Sequence, residues 1–420
     1  MGYAFDMARL EAAVASLYGG AAAAAQRERY RGLLRGLEET FGHREDIAVF
    51  SAPGRTEIGG NHTDHQHGKV LAGSVNLDVI AAVTPNGEDV IRVKSEGFPL
   101  FAVELGDLSV REEERNTSAA LVRGVAAWFK GHGCTLEGFD AYLTSNVLKG
   151  SGLSSSAAFE VLIGNILNDL FFDGKCTAVE LAQIGQYAEN VYFGKPSGLL
   201  DQMAASVGNM VTIDFADNAN PVVERVDFDF ASNRHALCIV DSGADHADLT
   251  DEYAAVTREL KEVCACFGKN VLREVPETDF FAALPALRRK CGDRAVLRAI
   301  HVYDENSRVD GQVGALRRGD FEAFLMHIND SGLSSWRLLQ NVVPAGYTHH
   351  QEVAFALSMA ERLLDGRGAC RVHGGGFAGT IQAFVPLDML DAFKAGMERV
   401  LGDGACHVLS IRPVGGVRLV

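Results

Sequence analysis

The chain has 420 residues, room for two or three domains at roughly 150 residues each, and its 47% apolar and 22% charged content excludes disorder, collagen and coiled coil. Basic side chains number 39 against 55 acidic ones, and the net charge of −16 argues against nucleic-acid binding and means that any anionic ligand is held by a local site. No apolar run reaches the ~18 residues of a membrane helix, and Asp6, Arg9 and Glu11 carry the wrong charge for a secretion signal, so the sequence reads as cytoplasmic, with no membrane partner.

In chain order, residues 47–51 read as a strand running into a turn at Pro53-Gly54. Segment 75–84 is apolar and β-branched, 90–94 alternates in period two, and Asn86-Gly87 between them predicts a hairpin. An amphipathic helix is predicted over 118–131 and a strand over 139–145. Apolar helices follow at 157–170 and 179–191, then short buried strands at 211–215 and 238–241. Helices dominate 250–364, strands at 371–373 and 380–385 flank a glycine cluster, and 406–417 is strand-like again. Hairpins mixed with helices, without strict βαβ alternation, predict an α+β fold of two lobes with the active site in the cleft between them. The lobes are placed at 1–225 and 226–420. None of the eight cysteines shares a C-x-x-C spacing, so they are expected as free thiols packed like small apolar side chains.

Three segments carry chemistry. The run Lys149-Gly150-Ser151-Gly152-Leu153-Ser154-Ser155-Ser156-Ala157-Ala158 lies between a strand and an apolar helix. Its glycines let backbone approach a ligand, and the helix it opens offers free N–H groups to an anion, as a phosphate cradle does. It lacks the Lys of a P-loop, and a flexible turn with a serine N-cap is the bland alternative. The second segment, Ala52 to Gly68, concentrates Arg55, Glu57, Asn61, His62, Asp64, His65 and His67 in a turn-rich stretch suited to a polyol. A metal site on its histidines is disfavoured because spacings of three and two do not match a helical i, i+4 pair. The third, His373-Gly374-Gly375-Gly376-Phe377-Ala378-Gly379, is either a tight hairpin or a loop that must approach a ligand at backbone distance.

Taken in order, these segments resemble the sugar-kinase superfamily named after galactokinase, homoserine kinase, mevalonate kinase and phosphomevalonate kinase (GHMP), and His62-Thr63-Asp64 narrows the resemblance to the galactokinases. Ala188-Glu189-Asn190, Gly198-Leu199-Leu200-Asp201-Gln202 and Asp251-Glu252-Tyr253 extend it from about residue 45 to the C-terminus. The resemblance implies ATP and a small sugar as substrates and Mg²⁺ as cofactor. It implies Asp201 facing the C1 hydroxyl of the sugar with Arg55 beside it, and Gly150 to Ala157 wrapping the ATP phosphates. Ser155 and Glu189 would hold Mg²⁺. Glu57, Asn61, His62, Asp64, Gly198 and Tyr253 would meet the sugar, supported by Gly374, Gly375 and Gly376.

The chain departs from that family at two positions of the sugar segment: galactokinases commonly carry Asn at the place of Glu57 and Glu at the place of Asn61. If the two lay on one helical turn they would share a face, and Glu57 could reach the hydroxyl that the family's Glu meets. Galactose is therefore the expected substrate. The rivals are another sugar, such as galacturonate or arabinose, and a non-catalytic sugar and ATP sensor. The intact phosphate loop and Asp201 argue against the sensor, and the oligomeric state is left open.

Overall fold

The computed structural model describes residues 6–148, 152–244 and 249–420. The sequence opens with an element that its patterning did not announce, the 35-residue helix α1 (Met7–Phe41). Its apolar residues Leu10, Val14, Leu17, Tyr30, Leu33 and Leu37 make one buried face.

The first sheet has eight strands. Its central path runs β12 (Val417–Arg418), β1 (Ala48–Gly59), β2 (Lys69–Pro85), β5 (Phe139–Ser145), β3 (Val90–Ser95) and β4 (Phe101–Glu104). The other two strands, β6 (Met210–Asp214) and β7 (Val222–Val226), pair beside the first half of β2. All twelve residues of β1 are buried, because both faces of the sheet are covered. Val49, Ile80 and Ala82 face α1. Their neighbours Phe50, Ala81 and Val83 face the opposite core. That core is filled by helices α2 (Ser118–Gly131) and α3 (Ser155–Phe171). Helices α4 (Ala178–Tyr187) and α5 (Leu200–Val207) complete this half, joined by a wider π-type turn at Ala188–Phe193.

The second sheet, ordered β11 (Cys406–Leu409), β8 (His235–Ala244), β10 (Gly379–Pro386) and β9 (Ala369–Val372), is antiparallel throughout. Between β8 and β9 lie α6 (Thr250–Ala265), α7 (Glu277–Ala282), α8 (Leu284–Cys291), α9 (Asp293–Arg317), α10 (Phe321–Ser334) and α11 (Glu352–Leu364), and α12 (Leu390–Leu401) precedes β11. Cys238, Val240, Ile381 and Ala383 pack on α11 and α12, while Leu237, Ile239 and Phe384 join the core containing α9 and α10. The expected α+β class is what the chain adopts. No described helix is long and apolar enough to cross a membrane. All eight cysteines are free thiols, six of them buried.

Two local expectations are corrected. Asn86-Gly87 does not join a paired hairpin, because β5 lies between β2 and β3, antiparallel to the first and parallel to the second. Asn86 gives its side-chain amide to Val90 O and Asp140 Oδ1, both at 3.0 Å, and so anchors the incoming β5. Likewise Pro53-Gly54 is not a turn: β1 continues to Gly59 with register shifts between Pro53 and Arg55 and between Glu57 and Gly59. A Cβ on Gly54 would lie 2.8 Å from Leu153 O, so the first irregularity is where the strand meets the residues before α3.

Candidate active site

The site forms where β1, the N-terminus of α3 and the first turn of α5 meet. Arg55 is 7% exposed and sits on β1 just past the bulge, its amide donating to Leu153 O at 3.0 Å. Its guanidinium donates to Asp201 Oδ1 through Nε at 2.6 Å and to Gly152 O through Nη1. Ser154 Oγ donates to the other oxygen, Oδ2. Burial pushes the Asp201 carboxyl up, but the Arg55 charge and the two hydrogen bonds outweigh it and hold the group below its ordinary value. Asp201 is thus an ionised carboxylate with both oxygens aimed.

Ser154 has a left-handed backbone, with φ of 57°, and its side chain does not cap α3. The N-cap alternative for this serine is therefore set aside. Because its hydroxyl turns to Asp201, the first amides of α3, at Ser155, Ser156 and Ala157, have no side-chain cap among the described residues and are open to an anion. Gly152 and Leu153 precede them, and a Cβ on Gly152 would lie 3.1 Å from His373 Nδ1. Lys149, Gly150 and Ser151, the start of the predicted cradle, lie outside the described residues.

Glu189, in the π-type turn, is 2% exposed and faces the same helix end. Its Oε1 accepts from Lys195 Nζ at 2.9 Å and from Ser156 Oγ at 3.3 Å, and its Oε2 accepts from Gln202 Nε2 at 2.8 Å. The hydroxyl facing Glu189 is thus that of Ser156, one residue on from the predicted Ser155. A carboxylate already carrying a cation, beside a hydroxyl, is a hard-oxygen set of the kind Mg²⁺ takes with one or two protein ligands. Among the described residues no three His, Cys, Asp or Glu side chains converge on a metal position.

The sugar segment closes the other side. Glu57 is on β1 and Asn61 lies two residues beyond its end, so the two are not on a helical turn as expected. They are nevertheless joined, Asn61 Nδ2 donating to Glu57 Oε1 at 2.9 Å. The carboxylate and amide that the family carries in the opposite order are thus kept as a bonded pair. Asn61 is fully buried, and its side chain also meets Gly374 O, Ser335 Oγ and Asn341 Nδ2, which take up the amide's hydrogen-bonding capacity. Asn61 therefore holds the loop and does not present itself to the cleft. Glu57 Oε1 also accepts from the fully buried Arg371 at 2.7 Å; burial raises the Glu57 carboxyl despite that partner.

His62, Asp64, Gly198 and Tyr253 converge on this loop. His62 Nε2 donates to Gly375 O at 2.9 Å and Tyr253 Oη donates to Gly376 O at 2.8 Å, so the glycine segment between β9 and β10 is the bracket on which both hang. A Cβ on Gly375 would come within 2.7 Å of the Tyr253 ring, the close approach that the third motif implied. Burial pushes the Tyr253 hydroxyl up to about 12. Asp64 Oδ1 accepts from the amide of His65, and its Oδ2 lies so near Gly198 that a Cβ there would sit 1.9 Å from it. Burial lowers His62 to about 4, so it is neutral at physiological pH. Its folded value lies below the unfolded 6.5, so its contribution to stability is full above pH 6.5 and is lost as pH falls toward 4. Melting temperature is expected to fall across that window, and less steeply in His62→Asn, which keeps a donor and tolerates the left-handed backbone. Equal slopes in the two proteins would remove His62 as the cause.

Sequence reasoning quoted Gln202 only as part of the Gly198–Gln202 motif, with no role, and missed Glu160, Arg371 and Asn341. Glu160 alone carried a signal: it is the one charged residue in the apolar stretch 157–167. The others are ordinary polar residues until the fold brings distant segments together.

Two family models match the chain: the GHMP kinases N terminal domain over residues 120–209 and the galactokinase galactose-binding signature over residues 37–85. The galactokinase of Streptomyces coelicolor is 30% identical over 387 residues, spanning 91% of this chain and 96% of the relative. The chain belongs to the galactokinase family. The galactokinase of Glaesserella parasuis is 28% identical over 375 residues, 85% of this chain and 90% of its own. The crystal structure of Lactococcus lactis galactokinase complexed with galactose superimposes with a TM-score of 0.78 at 26% identity, covering 93% of this chain and 99% of that one. The first model covers α3 through α5, and the second covers β1, the sugar segment and β2.

Proposed function

We propose that the chain transfers the γ-phosphoryl group of ATP to the C1 hydroxyl of galactose, giving galactose 1-phosphate and ADP. The observation that carries this reading is the Asp201 carboxylate, held by Arg55 on one oxygen and Ser154 on the other at the open end of α3. A hydroxyl-orienting group and a phosphate cradle are thus coupled through a single serine. Phosphoryl transfer depends on positioning and charge compensation more than on covalent help, and these residues supply both. Asp201 orients the hydroxyl and takes its proton, Arg55 offsets charge in transit, and residues 150–157 cradle the phosphates. Glu189 and the Ser155–Ser156 hydroxyls would hold Mg²⁺, which neutralises phosphate charge when bound. His62, Asp64, Gly198 and Tyr253 form the sugar side, backed by Glu57, Asn61 and Gly374 to Gly376. The division at 225/226, at the last residue of β7 in one sheet and ahead of β8 in the other, is our proposed lobe boundary, with β12 returning across it to β1. Use of ATP fits the cytoplasmic location read from the sequence.

The retained Glu57–Asn61 pair supports galactose as the sugar, although position 61 itself carries no charge. The test is coupled ADP release against galactose, galacturonate, arabinose and amino sugars. Galactose is expected to give the highest kcat/KM. A higher value for galacturonate would overturn galactose and leave the kinase chemistry standing, whereas failure of every sugar in the panel to release ADP would favour the sensor.

A further inference from the structure

Beneath the phosphate cradle lies a polar network that the reaction as described does not use. Glu160 is on α3, one turn beyond Ser156, and is fully buried. Its Oε2 accepts from Gln202 Nε2 at 2.9 Å, and the same nitrogen donates to Glu189 Oε2 at 2.8 Å. Ser156, Glu189, Gln202 and Glu160 thus form a ring that ties α3, the π-type turn and α5 together. Gly185 of α4 closes one side, since a Cβ there would come within 3.1 Å of both Gln202 Cγ and Glu160 Oε2.

The chemistry of the ring fixes its orientation. Gln202 turns its NH₂ to two carboxyl oxygens, one of them on the Glu189 carboxylate that pairs with Lys195; burial and that neighbouring charge raise the Glu160 carboxyl well above its ordinary value. Among the described residues, Glu160 Oε1 and Gln202 Oε1 are buried with no hydrogen-bond partner, an arrangement that packing alone does not require and that costs free energy. What the ring achieves lies at Glu189. With Oε2 tied to Gln202, the other oxygen, Oε1, is left toward Ser156 and Lys195 at the end of α3.

We propose that Glu160 is a positioning residue for phosphoryl transfer, acting through Gln202 to aim the Glu189 carboxylate at the cation and the phosphate cradle. This rests on Glu189 as the metal ligand, the reading given above. Groups that orient metal-binding carboxylates carry a large share of metal affinity: their loss typically costs about 10- to 100-fold. Glu160→Gln keeps an oxygen in place to accept from Gln202. Glu160→Leu removes it and frees the amide to rotate away from Glu189.

The experiment titrates Mn²⁺ in the presence of ADP, following free Mn²⁺ by electron paramagnetic resonance, with galactose binding measured separately by calorimetry. Glu160→Leu is expected to raise half-saturating Mn²⁺ by about 10-fold or more, with galactose affinity within about twofold and Glu160→Gln close to the parent on both. A purely structural role would lower melting temperature and leave the Mn²⁺ titration of the folded protein unmoved; that result overturns the proposal. If Glu160→Leu does not fold, Gln202→Met answers the same question, since it removes the bridging amide at similar length, and an unmoved titration again overturns it. Glu189→Gln separates the two layers. If it leaves Mn²⁺ binding unchanged, the metal assignment falls and the proposal with it. If it shifts Mn²⁺ binding while Glu160→Leu does not, the positioning role alone is overturned.

Discussion

Asp201→Asn is expected to lower turnover by about 10²- to 10⁴-fold, the range associated with losing a positioned proton acceptor, while ATP and galactose bind within a few-fold of the parent. The carboxamide is nearly isosteric, and its oxygen can still accept from Arg55 Nε. It loses the charge and, on the side facing Ser154, replaces an acceptor with a donor. Arg55 then keeps Gly152 O as a partner but no carboxylate on Asp201. The Asp201 side chain is 32% exposed, so water takes over part of the lost solvation and the protein stays folded. Turnover measured beside equilibrium sugar binding checks the result. Retention of more than about a tenth of the activity would mean that Asp201 neither orients nor accepts the proton.

The same geometry bears on how Asp201 works. General bases act best with pKa values near the working pH, yet Arg55 and Ser154 hold this carboxyl below its ordinary value. In the resting site Asp201 is therefore a weak base and a strong hydrogen-bond acceptor. In a loose phosphoryl-transfer transition state the attacking hydroxyl is little bonded to phosphorus, so its proton is still held tightly. Proton transfer to Asp201 consequently follows the movement of the phosphoryl group, once the bonded oxygen has become acidic. Orientation comes first and proton uptake second.

How far the sequence spoke depended on whether a signal was local. Helices at 118–131 and 157–170 were legible because capping, periodicity and burial agree within one segment: α2 begins where Thr117 accepts from Ala120 N, and α3 is apolar along most of its length. Asn86-Gly87 misled because turn chemistry says that a chain reverses, not which strand it will pair with, and β5 arrives from about 50 residues away. The β1 irregularity at Gly54 answers to Leu153, a contact no local pattern reports. At the site, Arg55 and Asp201 were legible through motif concordance, and the structure joins them directly. Asn61 was legible as a site position but not in its role, because its partners Ser335, Asn341 and Gly374 come from segments some 270 to 310 residues away. The exchange of Glu57 and Asn61 read as a departure from the family; in the fold it is a swap within one hydrogen-bonded pair.

Gly198→Ala should separate sugar recognition from everything else. Gly198 has no positive φ, so alanine fits its backbone, and among the described residues the obstacle is the side chain it would meet. That obstacle is Asp64: the new Cβ would stand 1.9 Å from Oδ2 and 2.9 Å from Cγ, so the carboxylate must swing away by more than an ångström. Asp64 has a short, half-buried side chain that accepts a hydrogen bond from the adjacent amide of His65, so the displacement costs folding little. The cost falls on whatever Asp64 binds. A hydrogen bond from a sugar hydroxyl to a carboxylate contributes about 1.5–3 kcal/mol, equivalent to roughly 10- to 150-fold in affinity. Gly198→Ala is therefore expected to raise the galactose KM by that factor, with the KM for ATP within about twofold because the α3 end and Asp201 lie on other contacts. Asp64→Asn should raise it less, since the amide can stay in place and a neutral bond is worth about half a charged one. An unchanged galactose KM in Gly198→Ala would take Asp64 out of the sugar site. An equal rise for ATP would instead show that the residues leading into α5 had moved, carrying Asp201 with them.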